Sequence, residues 1–209
     1  MRILLRAALT CAFTMIVGLA APALAAPALA APAVPASLPT AEQLRAALLT
    51  AAELPGGLSL KDSDSGRIRD SDFAVGDRCA DDWPQQETEV AFAVAGFVGD
   101  TRQKDVFVGM FLGATGAANG PTIVSQIAAE TDGCPGTEAT GRQFVRWPLP
   151  ALGDASLGVI TRDLPSRRLR AAVIAQGDVL GYLVTSGLGE REAIALARTW
   201  AAKLALHFT

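Results

Sequence analysis

The chain has 209 residues, half of them hydrophobic, with 21 acidic residues, 18 basic residues and one histidine. That is enough apolar material for a real core, while the net charge of −3 offers no basic footprint for nucleic acid. Three cysteines without a CxxC pair, and no His beside any of them, argue against a metal centre, and no cofactor motif is present.

Met1 to Arg6 is a short basic start, and Ala7 to Ala20 is an uncharged apolar run of 14 residues. Pro22 and two small-x-small sites, Ala23-Leu24-Ala25 and Ala28-Leu29-Ala30, follow. This order predicts a secretory signal peptide over 1–25, with an alternative end at 30. The run is short for a membrane span, which takes about 20 residues. Cys11 lies inside it, so no lipid anchor is expected. Residues 26–38 are an Ala/Pro-rich spacer, and residues 39–209 are expected to form one domain. Loss of Arg2 and Arg6 leaves 16 basic against 21 acidic residues, a net charge of −5. The expected location is outside the cell. The heavy use of Ala, Arg and Gly suggests a high-GC, actinobacterial type of genome.

Thr40-Ala41-Glu42-Gln43 matches a capping box. Leu44, Ala47, Leu48, Ala51 and Ala52 then recur at helical spacing, and Pro55-Gly56-Gly57 stops the helix. Leu58 to Lys61 predicts a short strand. Asp62 to Arg78 is rich in Asp, Ser and Gly and predicts a loop, with a second strand possible at Asp72–Val75. Asp62, Asp64, Asp70 and Asp72 do not match a calcium loop, because the twelfth position from Asp62 is Phe73 rather than Glu.

Glu87 to Phe97 alternates as a strand, with Thr88, Val90, Phe92 and Val94 on one face. Asp105 to Leu112 is its antiparallel neighbour. Pro121 suits the first turn of a helix that carries Ile123, Val124, Ile127 and Ala128 and ends at Asp132-Gly133. Glu138 to Trp147 and Ser156 to Arg162 are further strands. Arg170 to Ser186 forms a hairpin about Gly177-Asp178, with Gly supplying the positive φ of a type II′ turn. Its register sets Ala175 opposite Leu180, Val173 opposite Tyr182 and Ala171 opposite Val184. Both faces are apolar, so the hairpin belongs inside a sheet with both faces covered. Glu190 to Phe208 is a closing amphipathic helix with Ala193, Ile194, Ala197, Trp200, Ala201, Leu204 and Phe208 on one side. The order predicts an α+β fold: one antiparallel-rich sheet flanked by helices.

Cys79 and Cys134 remain after processing, and an oxidising compartment favours one disulfide between them over two free thiols. The loop it closes would stabilise the fold by about 4 kcal/mol in the chain-entropy model. No catalytic motif is present: there is no G-x-S-x-G elbow, and His207, the single histidine, lies in the last helical turn. Two loops combine aromatic, charged and Pro residues, Asp81-Asp82-Trp83-Pro84 and Arg146-Trp147-Pro148. Trp83, Arg146 and Trp147 are therefore candidate ligand-binding residues of one shared cleft, the tryptophans as apolar walls and the arginine as a fork for an acidic group. The alternative is that the two tryptophans are buried caps at the sheet ends.

Leu48-Leu49-Thr50-Ala51-Ala52-Glu53-Leu54-Pro55-Gly56-Gly57, a Cys after a polar loop and a second after the middle helix form part of a recurring pattern. Leu152-Gly153-Asp154-Ala155 and the Gly177-Asp178 hairpin before a final helix complete it. In order and spacing this pattern resembles the PknH-like extracellular sensor family, over roughly Pro39 to Phe208. The family supplies the outer domain of actinobacterial transmembrane serine/threonine kinases, or stands alone as exported proteins and lipoproteins. The resemblance implies an antiparallel sheet flanked by helices with a ligand-binding cleft. This chain carries one potential disulfide where the kinase form is expected to have two. The function expected is that of an exported, non-catalytic ligand-binding or sensor-type domain. Its ligand could be a small molecule, glycan, lipid or peptide. A secreted hydrolase with an unrecognised carboxylate site is the alternative, and a structural cell-wall role is a third.

Overall fold

A computed structural model describes residues 37–69, 89–101, 104–115, 119–133, 136–137, 142–163 and 167–209, within one unit spanning Ser37–Thr209. Among the described residues there are three α-helices, α1 (Ala41–Ala46), α2 (Asn119–Gly133) and α3 (Glu190–His207). The strands are β1 (Leu58–Arg69), β2 (Glu89–Thr101), β3 (Lys104–Ala114), β4 (Gly136–Thr137), β5 (Arg142–Arg146), β6 (Ala155–Asp163), β7 (Arg167–Gln176) and β8 (Val179–Ser186). They form one sheet in the order β1-β2-β3-β8-β7-β6-β5-β4, with every pair antiparallel.

The β7–β8 hairpin is central, flanked by β3 and β6. Its register is the expected one: Ala175 faces Leu180, Val173 faces Tyr182 and Ala171 faces Val184. Gly177 has φ +53, the left-handed region that the tight turn requires. Alternation then sorts the sheet into two faces. Val179, Gly181, Leu183 and Thr185 of β8 share one face with Ala172 and Ile174 of β7 and with Val106, Val108, Met110 and Leu112 of β3. The main core packs on this first face, joining Ala93, Ala95 and Phe97 of β2 to Leu44 of α1 and Leu196, Trp200 and Leu204 of α3.

Trp200 is the keystone of that side. It is fully buried, and its Nε1 donates to the Ala47 carbonyl at 3.1 Å, joining the last helix to the segment after the first. The indole rests on Gly181, where an added Cβ would lie 2.6 Å from Cη2. The second face carries a smaller core in which Val124 and Ile127 of α2 meet Leu157, Val159, Val173, Ala175, Leu180 and Tyr182. Helix α2 packs on β5, β6 and β7.

Three expectations from the sequence change. The first helix is two pieces: α1 keeps its capping box, with Gln43 N–H donating to the Thr40 hydroxyl and Thr40 N–H to Gln43 Oε1, but the chain then breaks. Thr50 is extended, and Glu53 Oε2 accepts both its N–H and its hydroxyl at 2.8 Å, which starts a separate 3₁₀ turn, Ala51–Glu53. The break lets Leu48 and Leu49 both be buried, which one continuous amphipathic stripe does not allow. Second, the expected loop from Asp62 is strand as far as Arg69, paired to β2 across a bulge between Leu60 and Asp62. As an edge strand, β1 keeps Asp62, Ser63 and Asp64 exposed, so its polarity mimics a loop. Third, the segment expected as one strand over 138–147 contributes β5 from Arg142 to Arg146. The expected strand at Asp72–Val75, and Cys79 and Cys134 with their disulfide, lie outside the described residues.

Candidate ligand-binding face

Strand alternation separates the residues that the sequence singles out. Arg146 ends β5 on the α2 side, where its Nε and Nη2 donate to the two carboxylate oxygens of Asp132 at 2.6 and 2.5 Å, and Nη2 also donates to the Ala128 carbonyl at 3.2 Å. The guanidinium therefore closes the C-terminal end of α2. Trp147, the next residue, belongs to the opposite core and is 5% exposed. Its Nε1 donates to the Ala171 carbonyl at 3.1 Å, and its ring lies on Gly158, where a Cβ would fall 2.8 Å from Nε1. Arg146 and Trp147 thus serve different faces of the sheet. Trp83, the third member of the expected cleft, lies outside the described residues.

His207 is exposed in the last turn of α3, with its ring 6.0 Å from that of Phe208. No group of three His, Cys, Asp or Glu among the described residues could hold a metal ion. No helix among the described residues is long and apolar enough to cross a membrane.

A different surface emerges from the topology. On the second face, α2 packs over β5 to β7, and no described element crosses the half made by β1, β2 and β3. The residues that alternate onto that half are Asp62, Asp64 and Gly66 of β1, Phe92, Val94, Gly96 and Val98 of β2, and Asp105, Phe107, Gly109 and Phe111 of β3. Phe107 is 36% exposed, and Phe92, Val94, Val98 and Phe111 are half-buried. Core-facing neighbours on the same strands, such as Val108 and Ala93, are fully buried.

Glycines shape the surface. Gly96 and Gly109 are directly paired across β2 and β3. A Cβ on Gly109 would meet Phe107 Cζ at 2.8 Å, and one on Gly96 would lie 3.8 Å from Phe107 Cε2. The end of the Phe107 ring therefore reaches into the gap that the two glycines leave, and the residue stays 36% exposed. Phe92 leans the same way, with Cε1 3.5 Å from the position of a Cβ on Gly66. Its ring is parallel to that of Phe111, 6.2 Å away at 7°, and Phe111 in turn meets Tyr182 edge-on at 6.2 Å. The result is an aromatic band running from the β1 edge to the rim of the α2 core.

Charge on this half is one-sided. Asp62, Asp64 and Asp105 are exposed on it. Lys61 stands at the bulge beside Asp62, and on that face Arg167 of β7 and Arg146 of β5 lie four and six strands from β1, Arg146 held by Asp132. The sequence reading misses these residues because it treats Asp62 and Asp64 as loop. The available signal is β3, which sets Gly109 between Phe107 and Phe111 on one face.

No family model matches the chain, and no curated protein matches it. Among solved structures it is similar to the crystal structure of the extracellular domain of PknH from Mycobacterium tuberculosis, with a TM-score of 0.51 and 14% identity over 81% of this chain and 96% of that one. The similarity lies in the fold: this chain folds as that extracellular domain does.

Proposed function

We propose that this chain is an exported, non-catalytic ligand-binding domain of the sensor type, and that its ligand lies on the open half of the second sheet face. The observation that carries the reading is the contiguous, partly exposed band of Phe92, Phe107 and Phe111 on a half of the second sheet face that no described helix crosses. Contiguous exposed apolar surface on a soluble domain marks a place of interaction. The fold shared with an extracellular domain supports the export that the N-terminal sequence predicts. The ligand is an apolar or amphipathic molecule, because the face presents rings and Val side chains rather than a converging set of hydrogen-bond donors.

A neutral solvatochromic dye, Nile red, tests the location. Phe107→Ala should weaken dye binding about fivefold, given what one aromatic contact contributes. Leu206→Ala, at the most exposed large apolar residue of α3, should leave it unchanged. Dye binding that ignores Phe107 and responds to Leu206 would overturn the location. Export predicts an intact mass from culture medium that begins at Ala26 or Ala31. Full-length chain in the membrane fraction would contradict it.

A further inference from the structure

The open face carries a statement about ligand charge as well as ligand polarity. Asp62 and Asp64 rise from the edge strand on the same side as the rings. Asp62 is paired with Gly96, and Gly96 with Gly109, so the carboxylate stands two strands from the glycine that Phe107 covers, about 10 Å at the usual strand spacing. The Phe107 ring reaches back towards Gly96 and shortens that gap. Asp64 is paired with Val94, between the edge where Phe92 leans over Gly66 and the one where Phe107 lies. Both carboxylates are exposed. Asp64 Oδ1 accepts the Ser65 N–H at 2.7 Å, which steadies the side chain without neutralising it. Asp105 adds a third negative charge at the end of β3 beside Phe107.

A partly exposed aromatic ring attracts a cation to its face, and a carboxylate within one or two strands adds to that attraction. An anion would meet three carboxylates and the negative face of the ring. A neutral amphiphile would gain the apolar contacts alone. We infer that the occupant of this face is a small apolar cation, an alkyl or aryl ammonium, with its apolar body on Phe92, Val94 and Phe111 and its charged head over Phe107 beside Asp62 and Asp64. The inference rests on the reading of this face as the ligand site and adds the chemical class. Lys61 at the bulge is the one described cation near the head position and opposes binding there.

The test uses three decyl amphiphiles below their micelle concentrations: decyltrimethylammonium, decyl maltoside and decyl sulfate. Binding to the secreted full domain is followed by aromatic ¹³C–¹H shifts. Decyltrimethylammonium should perturb Phe92, Phe107 and Phe111 and bind about tenfold tighter than the maltoside, from one cation–π contact and two surface carboxylates. Raising salt should reduce that preference. The double variant Asp62→Asn/Asp64→Asn should abolish it while leaving maltoside affinity unchanged, and Lys61→Gln should increase it. If all three probes bind the phenylalanines equally, or the sulfate binds best, the cation assignment is overturned and the face remains a ligand site. If none perturbs these rings, the reading of the face as a ligand site falls, and the assignment with it. Should the double variant be unstable, the Lys61→Gln arm still decides the sign of the charge effect.

Discussion

The two sides of this sheet are built from similar strands and finished differently. On the first face, α1, the 3₁₀ turn and α3 pack on the sheet between β1 and β7, and the glycines there serve packing, as Gly181 does beneath Trp200. On the second face, α2 packs on β5 to β7 and its core reaches Leu180 and Tyr182 of β8, while the glycines of β2 and β3 leave Phe107 partly exposed. One residue type thus has two uses: a glycine under a helix lets a large ring be buried, and a glycine on bare sheet lets a ring be displayed. Stability belongs to the first arrangement, and the proposed recognition to the second. Substitutions can pull the two apart.

The largest effect should come from the covered side. Trp200→Ala removes a fully buried indole and leaves the Ala47 carbonyl without its donor, which should cost about 4 kcal/mol. Thermal unfolding should shift down by about 10 °C for a domain of this size. A loss below about 1 kcal/mol would show that α3 does not hold the first face as described.

A smaller effect concerns the link between the chain ends of the domain. Lys203 Nζ donates to Glu53 Oε2 and to the Leu48 carbonyl, both at 2.8 Å. The Lys203 hydrogen bond, followed by the Thr50 N–H, pulls the Glu53 carboxyl down to about 2 from 4.5. A lowered acid stabilises the fold only while ionised. Its contribution should therefore be full above about pH 4.5, decline as the pH falls below that, and be gone once the pH has passed through about 2. The Glu53 side chain is 34% exposed and Lys203 18%, so solvent screening limits the pair to about 1 kcal/mol. Glu53→Gln should lower the urea midpoint at pH 7 and flatten the acid limb of the stability profile. An unchanged acid limb would remove this link from the account.

The smallest stability effect should come from the open side. Phe107→Ala should change unfolding free energy by less than about 1 kcal/mol, since the residue is already 36% exposed. A loss comparable to that of Trp200→Ala would mean that Phe107 is core, and the contrast between the faces would collapse.

Much of the covered side is legible in the sequence. The β7–β8 register follows from a turn glycine and a two-residue period, and α3 follows from a 3.6-residue stripe that includes Trp200. Both signals are local. The break after α1 is not legible, because it depends on Glu53 folding back on Thr50 and on where Leu49 finds core. The continuation of β1 is hidden by its place at the sheet edge, where Asp and Ser need not be excluded. The alternation that places Phe92 and Val94 on one strand face is readable. That no described helix crosses its β1–β3 half is not, because it follows from α2 crossing to β5–β7. For the same reason Arg146 and Trp147, adjacent in a loop-like motif, divide between the two faces.

The central claim is that one half of one sheet face is open, and solvent access to individual rings measures it directly. A soluble, uncharged paramagnetic agent should strongly relax the ring protons of Phe107, relax those of Phe92 and Phe111 moderately, and leave Trp147 and Trp200 unaffected. Phe107 protons as protected as those of Trp200 would contradict the account.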